Sequence, residues 1–119
     1  MINIGSIIYS NIGDLVNTHC YPLIADQSTE LPFIIYRCNS TAPNSSKDGI
    51  YEWEHNVEIN IVDDDYDNCC GIMEAVVGRL LSMEDGRPVT EVAIDSINED
   101  FIDDAYVKVV SVRLYTEQM

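Results

Sequence analysis

The sequence predicts an α+β domain: a four-stranded, mainly antiparallel (mixed) sheet with two amphipathic helices packed on one face, in the order α-β-β-α-β-β. Three observations predict it. Segments 4–16 and 65–82 repeat apolar residues every three or four positions, the rhythm of a helix with one buried face. Residues 50–63 alternate apolar and polar side chains, as a strand with one dry and one wet face does. The chain has 119 residues, enough for one domain with its own core. No repeat or composition break divides residues 1–119.

In the first helix Ile4, Ile7, Ile8, Ile12, Leu15 and Val16 share a face. Gly5 and Gly13 weaken it by about 1 kcal/mol each, so packing must hold it. Cys20 to Ile24 reads as a connector in which Pro22 pushes Tyr21 toward an extended conformation. Gln27 to Pro32 is polar. Residues 33–38, Phe-Ile-Ile-Tyr-Arg-Cys, make a strand of β-branched and aromatic residues. From Asn39 to Gly49 no apolar residue is larger than alanine or proline. That stretch cannot offset the entropy of its own ordering and reads as a mobile loop.

The strand at 50–63 sets Tyr51, Trp53, His55, Val57, Ile59 and Ile61 against Glu52, Glu54, Asn56, Glu58 and Asn60. In the second helix the rhythm runs through Tyr66, Cys69, Cys70, Met73, Val76, Val77, Leu80 and Leu81, with Asp64 or Asp65 placed to cap its start. Glu84 to Pro88 is a turn. Residues 89–97 and 105–116 are two further strands, and Asn98 to Asp104 reads as the loop of their hairpin. An open four-stranded sheet leaves two unpaired edges and one uncovered face, a surface suited to docking.

Twenty-one acidic and six basic residues give a net charge of −15. Such a field repels nucleic acid, because duplex binding needs Lys and Arg to displace phosphate counterions. No apolar run approaches the ~18 residues of a membrane span. The opening Met-Ile-Asn-Ile-Gly has no basic segment ahead of an apolar stretch, so no signal peptide and a cytosolic product are expected. Cys20, Cys38, Cys69 and Cys70 contain no Cys-x-x-Cys, and the adjacent pair suits neither a relaxed disulfide nor joint metal ligation. They read as reduced core residues.

Catalytic chemistry finds little to stand on. His55 lies on the apolar face of its strand, with no serine, cysteine or carboxylate at a meaningful spacing, so it reads as a packed sheet histidine. Asp63, Asp65, Asp67 and Glu74 occupy positions one, three, five and twelve of a calcium-loop pattern. Asn68 stands where that loop needs glycine, a strand precedes it, and the helical rhythm begins at Tyr66. The acidic run therefore reads as a helix start. No Gly-rich phosphate loop, His-Glu-x-x-His pair or nucleophile elbow is present. No cofactor and no enzymatic activity are expected.

Several pieces carry a resemblance: the helix Ile4 to Val16, Tyr21-Pro22-Leu23, Leu31-Pro32-Phe33-Ile34-Ile35-Tyr36, and the alternating strand Glu54 to Val62. The turn at Asp64 to Asp67, the helix ending Gly78-Arg-Leu-Leu81 and the closing strand Tyr106 to Leu114 complete it. In this order they resemble the tail terminator (tail-completion) family of long-tailed bacteriophages over nearly the whole chain. The resemblance implies a subunit that closes into a ring, commonly of six copies, at the head-proximal end of the tail tube. Its partners would be other copies of itself, the tail tube protein and the head–tail connector. DNA would pass through without specific binding, and no membrane is involved. The place of action would be the tail or neck of a virion assembled in the bacterial host cytoplasm.

Within that resemblance Ser40, Thr41, Pro43, Asn44, Ser45, Ser46, Lys47 and Asp48 are the expected subunit interface, a segment ordered against a neighbour or the tube. The extreme charge and the Cys69-Cys70 pair depart from the family pattern. Salt or divalent ions would have to screen the copies from one another, so rings are expected at high concentration or raised salt. Two other readings stay open: another head–tail connector or tail tube subunit, and a small acidic metal-responsive binding domain.

Overall fold

The computed structural model describes residues 3–23, 30–84 and 88–117. Helix α1 (Ile4–Ile12) runs into a 3₁₀ turn at Gly13–Val16, followed by strand β1 (Cys20–Pro22). Strands β2 (Phe33–Ser46) and β3 (Gly49–Asp63) form a long hairpin, α2 (Tyr66–Leu81) follows, and β4 (Val89–Ile102) and β5 (Ala105–Glu117) form a second hairpin. The polar segment Gln27–Pro32 and the turn Glu84–Pro88 lie partly outside the described residues.

The sheet has five strands in the order β1-β2-β3-β5-β4. It is not the four-stranded sheet predicted, and the element order is α-β-β-β-α-β-β instead of α-β-β-α-β-β. The unforeseen strand is β1, which pairs parallel to β2 through Cys20↔Ile34, Tyr21↔Ile35 and Pro22↔Tyr36. Three residues are too few to show a period. The extended conformation that Pro22 favours at Tyr21 fits a strand, and β1 sits at the sheet edge, where proline is tolerated. The remaining pairs are antiparallel.

Both helices are set by their caps and stripes. The Asn3 side chain accepts from the Ser6 amide at 3.2 Å to start α1, and Asp65 accepts from the Asn68 amide at 3.1 Å to start α2. Ile4, Ile8 and Ile12 on α1 and Cys69, Ile72, Val76 and Leu80 on α2 turn into one core. There they meet Ile34, Val57, Ile59, Ile61, Val110, Val112 and Leu114 from a single face of the sheet. Each such side chain contributes about 1.5–3 kcal/mol of burial. Among the described residues no helix lies on the opposite face.

The two hairpins outrun this core in opposite directions. Strand β3 pairs with β5 from Glu52↔Glu117 to Asp63↔Tyr106. The turn at Lys47 and Asp48 therefore lies beyond the Glu117 end, and the turn at Asp103 and Asp104 beyond the Asp63 end. The molecule is accordingly elongated, 51 × 24 × 22 Å.

Two predicted loops are strands. Residues 39–46 continue β2, and 98–102 continue β4. Both were obscured by bulges, between Cys38 and Ser40 and between Asn44 and Ser45 in β2, and between Val89 and Glu91 and between Ile94 and Ser96 in β4. A bulge inserts one residue and inverts the period of two on which a strand is recognised.

Two hairpin poles as the candidate assembly site

The first pole is the arm formed by the outer halves of β2 and β3. Before its first bulge, even-numbered residues of β2 face the core; after it, Thr41 does, opposite His55. Thr41 Oγ1 lies 3.0 Å from His55 Nδ1, and Thr116 Oγ1 of β5 lies 2.9 Å from His55 Nε2. The histidine is 1% exposed, and burial pushes its pKa below the ordinary value. A neutral imidazole between two hydroxyls thus ties three strands together at the arm's root. That is the packed sheet histidine the sequence suggested.

Beyond this root the half-buried Trp53, opposite Pro43 and Thr116, is the last large, even partly buried apolar side chain on the face that His55 shares. The arm's order comes from the backbone ladder and polar cross-strand bonds: Asn56 Nδ2 donates to Ser40 Oγ at 2.9 Å, and Asn44 Nδ2 donates to Glu52 Oε2 at 2.6 Å. Here lies the physical error in reading 39–49 as a mobile loop, because strand order was supplied by a partner strand and not by burial. The structure gathers Ser40, Thr41, Pro43, Asn44, Ser45, Ser46, Lys47 and Asp48 on this one arm. Thr41 and Asn44 are half-buried and the other six are exposed. Gly49 closes the turn at φ +114°, a conformation L side chains rarely adopt. Ile50 and Tyr51 next to it stand in solvent.

The second pole was not found from the sequence. The bulge at Asp95 brings Ile97, Glu99 and Phe101 onto the helix side, opposite Val110, Lys108 and Tyr106 of β5. Tyr106 packs edge-on against Tyr66 with ring centres 5.2 Å apart, and Phe101 leans on Tyr106 at 5.0 Å. Lys108 Nζ donates to Glu99 and lies 5.0 Å from the centre of the Tyr66 ring. The Tyr66 hydroxyl donates to Glu99 Oε2 at 2.8 Å. The hydrogen bond from Lys108 holds the Glu99 carboxyl below its usual range, and the same contact raises the lysine. One signal was available: Lys108 interrupts the apolar face of a closing strand, and Phe101 interrupts an acidic run.

Between the poles lies the helix-free face. At one end its cross-strand rows are mainly apolar, Phe33–Val62–Val107 and Ile35–Asn60–Val109 with Asn60 as the polar member. At the other they are charged, with Asn56–Arg113–Ala93 and Glu54–Tyr115–Glu91. Arg113 Nε bonds the Asp95 carboxylate at 3.0 and 3.1 Å.

The calcium-loop candidates do not converge. Asp63 is 3% exposed and accepts from the Asp64 amide at 2.8 Å and from Asn68 Nδ2. Asp65 caps α2, while Asp67 and Glu74 are exposed further along the helix. Among the described residues no group of three or more His, Cys, Asp or Glu is placed to hold a metal. Cys20 and Cys69 are core residues, and burial pushes the Cys20 thiol up to about 11. Cys38, in contrast, is exposed. Among the described residues no helix is long and apolar enough to cross a membrane.

No protein-family model and no curated protein matches the chain. Among solved structures, a chain of the virion of a native gene transfer agent particle superimposes with a TM-score of 0.77 at 16% identity. The match covers 97% of this chain and 95% of that one, so the two share a fold from end to end.

Proposed function

We propose that the protein is a non-catalytic virion component of the tail terminator type, a subunit that closes into a ring, caps the head-proximal end of a tail tube and joins it to the head connector. The observation that carries this reading is the end-to-end fold likeness to a chain of a gene transfer agent virion. The sequence resemblance to tail terminators points the same way from different features. The two projecting hairpins support it further, since strands that outrun their own core offer surface to neighbours. Catalysis draws no support from His55, whose ring nitrogens are both taken by threonine hydroxyls.

The test is a capping experiment. Purified protein added to polymerising tail tube subunits from the same source ends elongation, and negative-stain images show a ring at one tip of each tube. Tubes that grow equally long with and without it overturn the reading. Tubes built from this protein alone would replace it with that of a tail tube subunit.

A further inference from the structure

We infer that the cleft where α1 begins is a binding site for a short aliphatic carboxylate, held by the backbone amides of the first turn and the Tyr36 hydroxyl, with its apolar chain laid along Pro22 and Leu23. The site is separate from the arm and the aromatic pole, and does not depend on the reading proposed above.

The helix start is the first argument. Two adjoining clefts, of about 450 and 300 Å3, meet at the first turn of α1, and Asn3, Gly5, Pro22 and Tyr36 line both. An α-helix leaves the amides of its first turn without helical acceptors. In α1 the Asn3 side chain takes the Ser6 amide at 3.2 Å, which leaves those of Ile4 and Gly5, two residues that line the cleft. The partial positive charge at this end of a helix favours an anion. No acidic residue stands in the first turn to neutralise it, and among the described residues no Asp or Glu lines either cleft. The long-range repulsion of a chain at −15 is screened beyond about 8 Å at about 0.15 M salt.

Tyr36 is the second. It is 8% exposed, yet its hydroxyl makes no hydrogen bond to any described residue. Among the described residues no buried side-chain oxygen lacks a partner, so this hydroxyl opens into the cleft that its ring lines. A Cβ built on Gly5 would stand 3.4 Å from Tyr36 Cε2 and 3.8 Å from its hydroxyl oxygen. The ring therefore packs on the backbone of the first turn and brings its O–H beside the free amides. Burial raises the Tyr36 pKa, so the hydroxyl keeps its proton and donates at neutral pH.

The rim is the third. Leu23 is 64% exposed and takes φ +67°, a region L side chains rarely occupy, while its amide donates to the Tyr36 carbonyl at 2.8 Å. That bond fixes Leu23 to the strand that carries the hydroxyl. With Pro22 it forms an apolar wall next to the donors, which suits a carboxylate carried on a short hydrocarbon chain. A free short-chain acid and the carboxyl terminus of a peptide with an apolar last residue share that chemistry.

The experiment follows backbone amide chemical shifts of the wild type, Tyr36→Phe and Asn3→Asp during titration with sodium butyrate, against sodium chloride at equal ionic strength. Thermal melts confirm that all three are folded; Asp caps a helix as well as Asn does. Saturable shifts centred on Ile4, Gly5, Ser6 and Leu23 are expected for the wild type with butyrate and not with chloride. Tyr36→Phe is expected to weaken binding about tenfold, the loss of one hydrogen bond to a charged group. Asn3→Asp is expected to abolish it by setting a like charge at the mouth of the cleft. Butyrate that shifts nothing saturably, the same shifts with chloride (an adventitious ion only), or wild-type binding by either variant overturns the inference. N-acetylalanylleucine then separates the two sources: tighter binding than butyrate assigns the site to a peptide terminus, and equal or weaker binding assigns it to a free acid.

Discussion

The two hairpins share a design and differ in what holds them. Each extends past the helix layer, each carries two bulges, and each ends in a two-residue turn of exposed polar side chains. The arm is rooted on a buried neutral histidine and, further out, on polar cross-strand bonds. The other is fastened by aromatic rings and a lysine whose charge is balanced by Glu99. A strand pair beyond its core thus needs no apolar floor. Cross-strand pairs worth a few tenths to about 1 kcal/mol each are enough when the ladder is anchored at its base.

The comparison breaks most severely where the hairpins meet. Leu114 is fully buried and lies between His55 of β3 and Val92 of β4. Leu114→Ala is expected to cost about 3 kcal/mol, read as a lower urea midpoint, with both hairpins losing amide protection together. Loss of protection in one hairpin alone would show that they do not share a foundation.

Acid separates the two ends. An unfolded histidine takes up its proton near 6.5, while burial depresses the folded pKa of His55. Between those values the unfolded chain binds more protons, so stability complete above 6.5 drains as the pH falls toward the folded value. The wild type should therefore lose more Tm than His55→Gln between pH 7 and pH 5, with faster amide exchange in the arm than at the aromatic pole. Parallel profiles for the two proteins would count against a buried neutral imidazole.

The smallest effect lies at the arm's turn. A Cβ at Gly49 meets nothing within 4 Å, so Gly49→Ala tests backbone strain alone. It is expected to lower stability by about 1 kcal/mol by chemical denaturation, with exchange rising at the tip and not at the far pole.

How much of this was legible follows from where periods survive. Helix α2 and the inner parts of β3 and β5 pack against a continuous core, and their apolar spacing gave them away. The arm's outer half does not, since Asn39 inverts the parity of β2 and its own residues from Asn39 to Ser46 carry no apolar side chain larger than alanine or proline. The same happens at Asp95, which hid the second half of β4 and with it the cluster of Tyr66, Glu99, Phe101, Tyr106 and Lys108. The aromatic cluster has no period of its own in the sequence, because it exists only once β4, β5 and α2 converge.

The polar ladder of the arm also bears on how such a chain changes over generations. Apart from Thr41 at the root and Gly49 at the turn, residues 40–49 answer to their neighbours across the hairpin and to nothing in the interior. Substitutions that keep the backbone ladder are expected to cost the fold no more than the cross-strand bonds they remove, so that surface can change while the helices and inner strands stay put. Two proteins can then keep one architecture at 16% identity while differing widely along such an arm.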